Sequence, residues 1–383
     1  RHICEHKHEQ QGSTFLKIQG RTLTEGNQGI IRLAVDENST RVIHFEDAVR
    51  GHIEFEQKVV GDLSIAKDLE NPLYNFAVAV DDYEMQISHV IRGEDHISNT
   101  PKQILIFEAL GAAVPQFVHL PLLLGQDRSK LSKRHGATDL SLYKEQGYLP
   151  EAMVNFLAVL GWSPKDDREI LTKNEIIEQF SLEKVHQSGA IFDVKKLNWI
   201  NAQYTKVFND EGLVEAVTPF VVKYFGEQPK ELILTITPLF RERLEYFDQV
   251  KEFKFFFVEP EYEGDLLVWK KSDREGAKKA LERIKEILGS QVEWGPVRSR
   301  ARDMVASPED RGAATSNGID EKYIRTELDQ LAEKEFAGDR GAVYWPLRAA
   351  LSGEKFSPDP VQIMAIVGKE ITFSRIENAL AKI

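Results

Sequence analysis

MQISHVIRGEDHISNTPKQILIFEALGAAVPQFVHLPLLL, residues 85–124, decides the fold. A partly apolar run ends at Arg92-Gly93, a helical stretch follows, and a second apolar run starts at Phe117. Thr100 reads as the helix N-cap, Pro101 as the first helical residue, where its missing N–H does no harm, and Gly111 as the stop. Strand, helix, strand is the order of a parallel α/β unit, whose ligands sit beyond the carboxyl ends of the strands. Arg92, Glu94 and Asp95 fall at one such end.

Upstream, residues 29–60 alternate apolar and polar (GIIRLAV, RVIHFED, GHIEFEQKVV) around turn-rich spacers such as VDENST. These are short antiparallel strands of a small β-rich insert. From Tyr74 (YNFAVAV) the pattern changes to the α/β unit. Downstream the chain turns helical and stays so. Residues 150–160 form an apolar helix closed by Gly161, Thr172 and Glu175 make a capping box, and a further helix starts at Asp193. Ser272 and Glu275 cap a helix whose apolar Ala277, Ala280, Leu281, Ile284 and Leu288 fit a period of 3.6, with Gly289 as its stop. FKFFFV, residues 253–258, is too short for a membrane span and reads as core. SPEDRGAATSNG, residues 307–318, reads as an exposed connection between two helical modules.

With 383 residues the chain is too long for one core. No apolar run approaches the ~20 residues that span a bilayer, so no membrane role is expected. Cys4 is the sole cysteine, which rules out an internal disulfide, and neither an initiator Met nor a signal peptide opens the sequence. A reducing, cytoplasmic setting is expected, with Arg1 lying inside a longer gene product. The net charge of -12 argues against nonspecific binding to nucleic acid, although a local basic track can exist on an acidic protein.

Lys130-Leu131-Ser132-Lys133-Arg134-His135-Gly136 follows the second apolar run. Two lysines and an arginine within five residues, beside small residues, can wrap a polyphosphate and follow its charge through a transition state. Alone, such a pentapeptide reads as well as a solvated loop. It is accompanied by HVIRGEDHISNTPKQ (89–103), FVHLPLLLGQDRSKLSKRHG (117–136) and LYKEQGYLPEAMVNFLAVLGWSP (142–164).

At these residues the sequence resembles the bacterial-type glutamyl-tRNA synthetases, members of the class I aminoacyl-tRNA synthetases. KLSKR stands where that class has its KMSKS loop, and YNFAVAVDD, HVIRGEDH, NTPKQ and GYLPEA are close to the family's blocks. The likeness continues in FDVKKLNWINAQY (192–204), WPLRAALSGEKFSPDP (345–360) and VGKE (367–370), and is thin over 205–340. It implies a multidomain α/β plus all-α protein, with the second half of a Rossmann-type catalytic domain, a small β-rich insert, and helical stem-contact and anticodon-binding domains. The expected divisions are 1–70 for the acceptor-binding insert, 71–125 for the catalytic half, 126–204 for the KLSKR loop and stem-contact region, and 205–383 for the anticodon-binding region.

The implied reaction joins L-glutamate to tRNA for glutamate through a glutamyl-adenylate, with ATP and Mg2+, in a monomer. Lys133 would contact ATP and stabilise the α-phosphate as pyrophosphate leaves, with Lys130 and Arg134 in the same loop. Tyr74 and Arg92 match positions lining the glutamate pocket, as Val78 and His96 do at positions that vary within the family. A guanidinium suits a carboxylate because it donates two parallel hydrogen bonds. Asp95 and the segment from His119 through Leu122 and Leu123 would lie beside the nucleotide, the latter through backbone contacts to adenine. Cys4 and His6 resemble half of a zinc site in the connective insert, with His2 and His8 nearby. Arg348 and Lys369, in family-like blocks, are the expected tRNA contacts.

One departure stands out: the family's HIGH-type motif is missing, because GHIEF at 51–55 sits among the insert strands. The chain is therefore expected to be an N-terminally truncated, catalytically incomplete piece. The rivals are a glutaminyl-tRNA synthetase, whose anticodon-binding part is β-barrel in character, and a non-catalytic tRNA-binding protein derived from a synthetase.

Overall fold

The computed structural model describes residues 16–19, 30–36, 38–68, 70–132, 139–290, 292, 294 and 319–383. In chain order they form β1 (Leu16–Gln19), β2 (Ile30–Leu33), β3 (Val42–Asp47), β4 (Gly51–Glu56), α1 (Gln57–Val60), β5 (Leu63–Ala66), α2 (Tyr74–Glu84), β6 (His89–Gly93), α3 (Thr100–Leu110), β7 (Gln116–Leu120) and β8 (Leu123–Leu124). Then come α4 (Leu140–Glu145), α5 (Pro150–Gly161), α6 (Lys173–Gln179), β9 (Ala190–Ile191), α7 (Val194–Lys206), α8 (Asp210–Phe225), α9 (Lys230–Arg243), α10 (Arg274–Ser290), α11 (Glu321–Glu335), α12 (Arg340–Ser352) and α13 (Pro360–Lys382). The chain divides into two compact units, Arg1–Leu140 with Met153–Leu197, and Ser141–Ala152 with Asn198–Ile383.

In the first unit, β6 and β7 pair in parallel from His89↔Gln116 to Gly93↔Leu120, as the strand, helix, strand reading requires. Gly111 ends α3 at φ 66°, a left-handed conformation open to glycine at little cost. The strands expected within residues 29–60 are present, but they divide between two sheets. β1, β2 and β5 form a sheet of their own, whereas the β3–β4 hairpin extends the sheet of β6 and β7 in the order β4-β3-β7-β6. The division expected at residue 70 therefore runs through a sheet. Alternation fixed which side of β3 is buried (Ile43, Phe45 and Asp47), but period two says nothing about which strand lies alongside. Ile43 and Phe45 pack with Phe117 of β7 and Ile104, Ile106 and Phe107 of α3 into one core. GHIEF is part of β4, antiparallel to β3.

The helical signals mostly hold. α6 carries the capping box: Thr172 Oγ1 accepts from the Glu175 N–H at 3.2 Å, and Glu175 Oε2 accepts from the Thr172 N–H at 2.8 Å. Asp193 caps α7 by accepting from the Lys195 N–H at 2.9 Å. α10 buries the whole expected stripe. Its cap, however, is Asp273, which accepts from the Gly276 N–H at 2.7 Å, in place of Ser272, and Gly289 does not stop it. A carboxylate one residue closer is the stronger acceptor for the helix's first N–H groups.

In the second unit Phe253, Phe255 and Phe256 are core, as expected of FKFFFV. The connection expected at 307–318 lies outside the described residues. Among the described residues no strand follows Ile191, and no helix is long and apolar enough to cross a membrane.

Candidate active site

The carboxyl ends of β6 and β7 bring Arg92 and His119 face to face as register partners. Arg92 donates from Nε to His119 Nε2 at 3.1 Å, from Nη1 to Gln103 Oε1 at 2.8 Å and from Nη2 to Thr100 Oγ1 at 2.7 Å. Its guanidinium also lies over the Phe117 ring, 5.1 Å from the centroid. Among the described residues no carboxylate is within ion-pairing distance of it. Burial pulls the Arg92 pKa down, opposed by Tyr74 and Asp82 nearby, but an arginine stays charged. The result is a partly buried cation held by neutral acceptors, with one N–H left on each η nitrogen by these three bonds.

Thr100 begins α3 but does not cap it. Asn99 holds the cap position, and the Thr100 hydroxyl accepts from Arg92 and lies 3.1 Å from His119 Nε2 and 3.4 Å from His96 O instead. This corrects the cap reading, because a hydroxyl beside a desolvated guanidinium gains more from that charge than from a helix N–H. Gln103, one turn on, passes its amide N–H to Asn75 Oδ1 at 3.1 Å and so ties α2 to the site.

His119 is fully buried, with its Nδ1 2.6 Å from Asp47 Oδ2. Burial pushes its pKa down, Asp47 works against this, and Arg92 and His96 add to it. Burial would raise the Asp47 pKa, but the Arg50 N–H, the His119 ring and the N–H groups of Val49 and His119 together hold it low. Arg50, from the same β3–β4 turn, pairs with Glu94, whose other oxygen accepts from the Leu122 N–H at 3.1 Å. The turn thereby clamps the ends of both parallel strands. Asp47, Arg50, Thr100, Gln103 and Asn75 were not singled out from the sequence as site residues. The only local signal was Asp47 and Arg50 flanking a tight turn, which is too common to be informative.

The expected pocket residues converge here. Tyr74 opens α2 and its hydroxyl is 3.5 Å from His96 Nδ1, the rings being 5.8 Å apart. Val78, one turn on, shares a helix face with Tyr74. Asp95 follows β6 and pairs with Lys130 at 2.7 Å, an exposed bridge. The hydrogen bond from Lys130 lowers the Asp95 pKa, with burial opposing. Lys130 closes a tight hairpin in which the Leu131 N–H donates to Leu123 O at 2.7 Å. Leu122 and Leu123 lie just past β7, yet the N–H groups of His119 and Leu122 are bonded to Asp47 and Glu94. The side chain of His119 is likewise wholly engaged inside the protein.

Lys133, Arg134 and His135, like Cys4 and His6, lie outside the described residues. Arg348, on α12, is half-buried, and its Nε has no hydrogen-bond partner. Lys369 is exposed directly after Gly368, which breaks α13 at φ 82°. Among the described residues no group of three His, Cys, Asp or Glu could hold a metal ion, and Glu94 and Asp95 already have cationic partners. These residues do not form a magnesium or zinc site by themselves.

Comparison with known proteins decides the family. The family described as tRNA synthetases class I (E and Q), catalytic domain, matches residues 5–199, and an anticodon binding domain matches 212–302 and 310–380. The chain belongs to the class I tRNA synthetases of the E and Q group. It is 37% identical over 385 residues to glutamate–tRNA ligase 2 of Caldanaerobacter subterraneus subsp. tengcongensis, covering 98% of this chain and 72% of that protein. It is 39% identical over 366 residues to the glutamate–tRNA ligase of Carboxydothermus hydrogenoformans, covering 93% of this chain and 70% of that one. A crystal structure of a glutamate tRNA ligase from Elizabethkingia meningosepticum in complex with its amino acid superposes with a TM-score of 0.70 at 31% identity, over 93% of this chain and 69% of that chain. These matches bear out the synthetase fold expected from the sequence.

Proposed function

We propose that the synthetase to which this chain belongs ligates L-glutamate to tRNA for glutamate in two steps. The glutamate α-carboxylate attacks the ATP α-phosphate, giving glutamyl-adenylate and pyrophosphate, and a hydroxyl of the 3'-terminal ribose of tRNA then attacks the glutamyl carbonyl, releasing AMP. The observation that carries the amino-acid part is Arg92, a partly buried cation at a parallel strand end with no carboxylate partner among the described residues. A substrate carboxylate supplies the missing charge. Tyr74, Val78 and His96 line its surroundings. Asp95, Leu122 and Leu123 adjoin the nucleotide, and Lys130, Lys133 and Arg134 neutralise its phosphates, with Lys133 meeting the charge that develops as pyrophosphate leaves. Magnesium, which these residues do not hold by themselves, would come with the nucleotide and add charge neutralisation there. Zinc at Cys4 and His6 belongs to the same reading.

The helical character of the described residues beyond Ile191 favours glutamate over glutamine as the amino acid, since the glutaminyl enzymes carry a β-barrel anticodon part. Residues 205–383 read the anticodon in this proposal, with Arg348 and Lys369 as contacts, and the protein acts in the cytoplasm as a monomer. The test is glutamate-dependent ATP–pyrophosphate exchange by the gene product that carries this chain. Lys133→Ala should slow it by about 10²-fold, the scale of losing one preorganised charge contact. Exchange at the wild-type rate would remove Lys133 from the chemistry, and exchange driven by glutamine in place of glutamate would overturn the substrate.

A further inference from the structure

His119 has three polar neighbours, and two of them can play only one part. Asp47 Oδ2, 2.6 Å from Nδ1, belongs to a carboxylate held ionised by its N–H partners, so it only accepts. Arg92 Nε, 3.1 Å from Nε2, only donates. The ring is fully buried against Phe45 and Phe117, with centroids 6.2 and 6.1 Å away. The Thr100 hydroxyl, 3.1 Å from Nε2, can donate or accept and so suits any state, whereas a neutral imidazole with its proton on Nδ1 is the one that satisfies Asp47 and Arg92 together. The second tautomer would set N–H against N–H at Arg92, as would the imidazolium.

We propose that Asp47 and His119 are positioning residues for amino-acid binding: Asp47 fixes the His119 tautomer, and His119 Nε2 with Thr100 Oγ1 holds one edge of the Arg92 guanidinium. The inference rests on the reading of Arg92 as the partner of a glutamate carboxylate. The two acceptors stand 3.1 Å apart and take Nε and Nη2 of Arg92 side by side, much as the oxygens of a carboxylate would. They differ from a carboxylate in one respect that matters. Being neutral, they orient the guanidinium without cancelling its charge, and the negative charge of Asp47 stays one imidazole ring away. An arginine side chain loses about 2 kcal/mol of rotamer freedom when fixed, so a guanidinium oriented beforehand binds its ligand more tightly.

Asp47→Asn reverses the orientation while keeping most of the support. The amide oxygen can keep the Val49 and Arg50 N–H bonds of the turn and the longer one from the His119 N–H, 3.3 Å, while the amide N–H donates to His119 Nδ1, drives the ring proton to Nε2, against Arg92, and gives up the 3.0 Å bond from the His119 N–H. The Michaelis constant for glutamate should then rise about tenfold or more with that for ATP little changed, while the thermal midpoint falls by the loss of one buried acceptor. Adding His119→Gln should restore most of the loss, because the glutamine carbonyl can face Arg92 whatever residue 47 donates. Histidine ¹⁵N NMR of the unmutated protein should show the Nδ1-protonated ring, and that of Asp47→Asn the Nε2-protonated one. An Nε2-protonated or charged ring in the unmutated protein would overturn the proposal. So would an Asp47→Asn enzyme whose glutamate constant is unchanged, or moves together with that for ATP, while Arg92→Ala raises the glutamate constant alone. Arg92→Ala without effect on glutamate would overturn the underlying reading, and this inference with it.

Discussion

Each unit draws an arginine away from solvent, Arg92 partly and Arg375 almost wholly, and the two are held in opposite ways. Arg92 in the first unit meets neutral side-chain acceptors on strand and helix, and has no carboxylate partner among the described residues. Arg375 on α13, only 4% exposed, donates to backbone carbonyls: Leu351 at 2.6 Å near the end of α12, and Phe255 at 2.7 Å near the end of the 3-10 turns Phe247–Phe256. Its Nε reaches Glu259 at 3.4 Å. Carbonyls at helix ends carry partial negative charge and lack intrahelical donors, so Arg375 satisfies groups that the fold leaves open. Burial lowers its pKa, Glu259 opposing, and it too remains charged. The contrast teaches that burial alone does not mark a binding arginine. What marks it is the capacity left over after the protein has placed it.

The comparison breaks most visibly at Arg375. Replacing it with alanine should destabilise the protein by about 3–5 kcal/mol, since several buried carbonyls lose their donor. Denaturant unfolding measures this, and a loss below about 1 kcal/mol would show that Arg375 is dispensable. At Arg92 the effect should appear in function instead. Arg92→Ala should lower kcat/KM for glutamate by about 10²-fold, equivalent to about 2.7 kcal/mol, while the Michaelis constant for ATP holds. Its thermal midpoint should move by a few degrees at most, because removing a cation without a carboxylate partner also removes its desolvation cost. Equal loss of stability in both variants would erase the distinction between the two arginines.

The smallest expected effect concerns the unit of Arg375. Burial would raise the Asp248 pKa, but Lys223, Lys251 and Tyr224 bring it down to about 2. The unfolded carboxyl titrates near 3.8, so between these values the unfolded state binds the proton and the folded state does not. The stabilisation is therefore complete above pH 4 and is lost as the pH falls toward 2, a contribution of about 2 kcal/mol. Asp248→Asn should flatten this part of the stability curve; an unchanged acid slope would show that the lysines do not act on it.

Much of the frame was legible in the sequence. The Thr172 and Glu175 capping box, the Gly111 stop and the buried stripe of α10 depend on neighbours within about four residues, where backbone geometry leaves few choices. Strand-end placement in a parallel sheet put Arg92, Glu94 and Asp95 among the candidates, and the match to the family's glutamate-pocket positions singled out Arg92. The family blocks carried the amino acid, the nucleotide loop and the anticodon region. Three things needed the tertiary structure. Thr100 has good helix-cap chemistry, yet its hydroxyl serves Arg92. The β3–β4 hairpin alternates as any half-buried hairpin does, yet it joins the catalytic sheet through Asp47↔Phe117. Asp47 reaches His119 across 72 residues of sequence, and His119 reaches Arg92 across 27. Local rules follow from the short reach of helix and turn hydrogen bonds, which a sequence window contains. Which distant acceptor meets a side chain is set by strand register, and a register exists only once the sheet has formed.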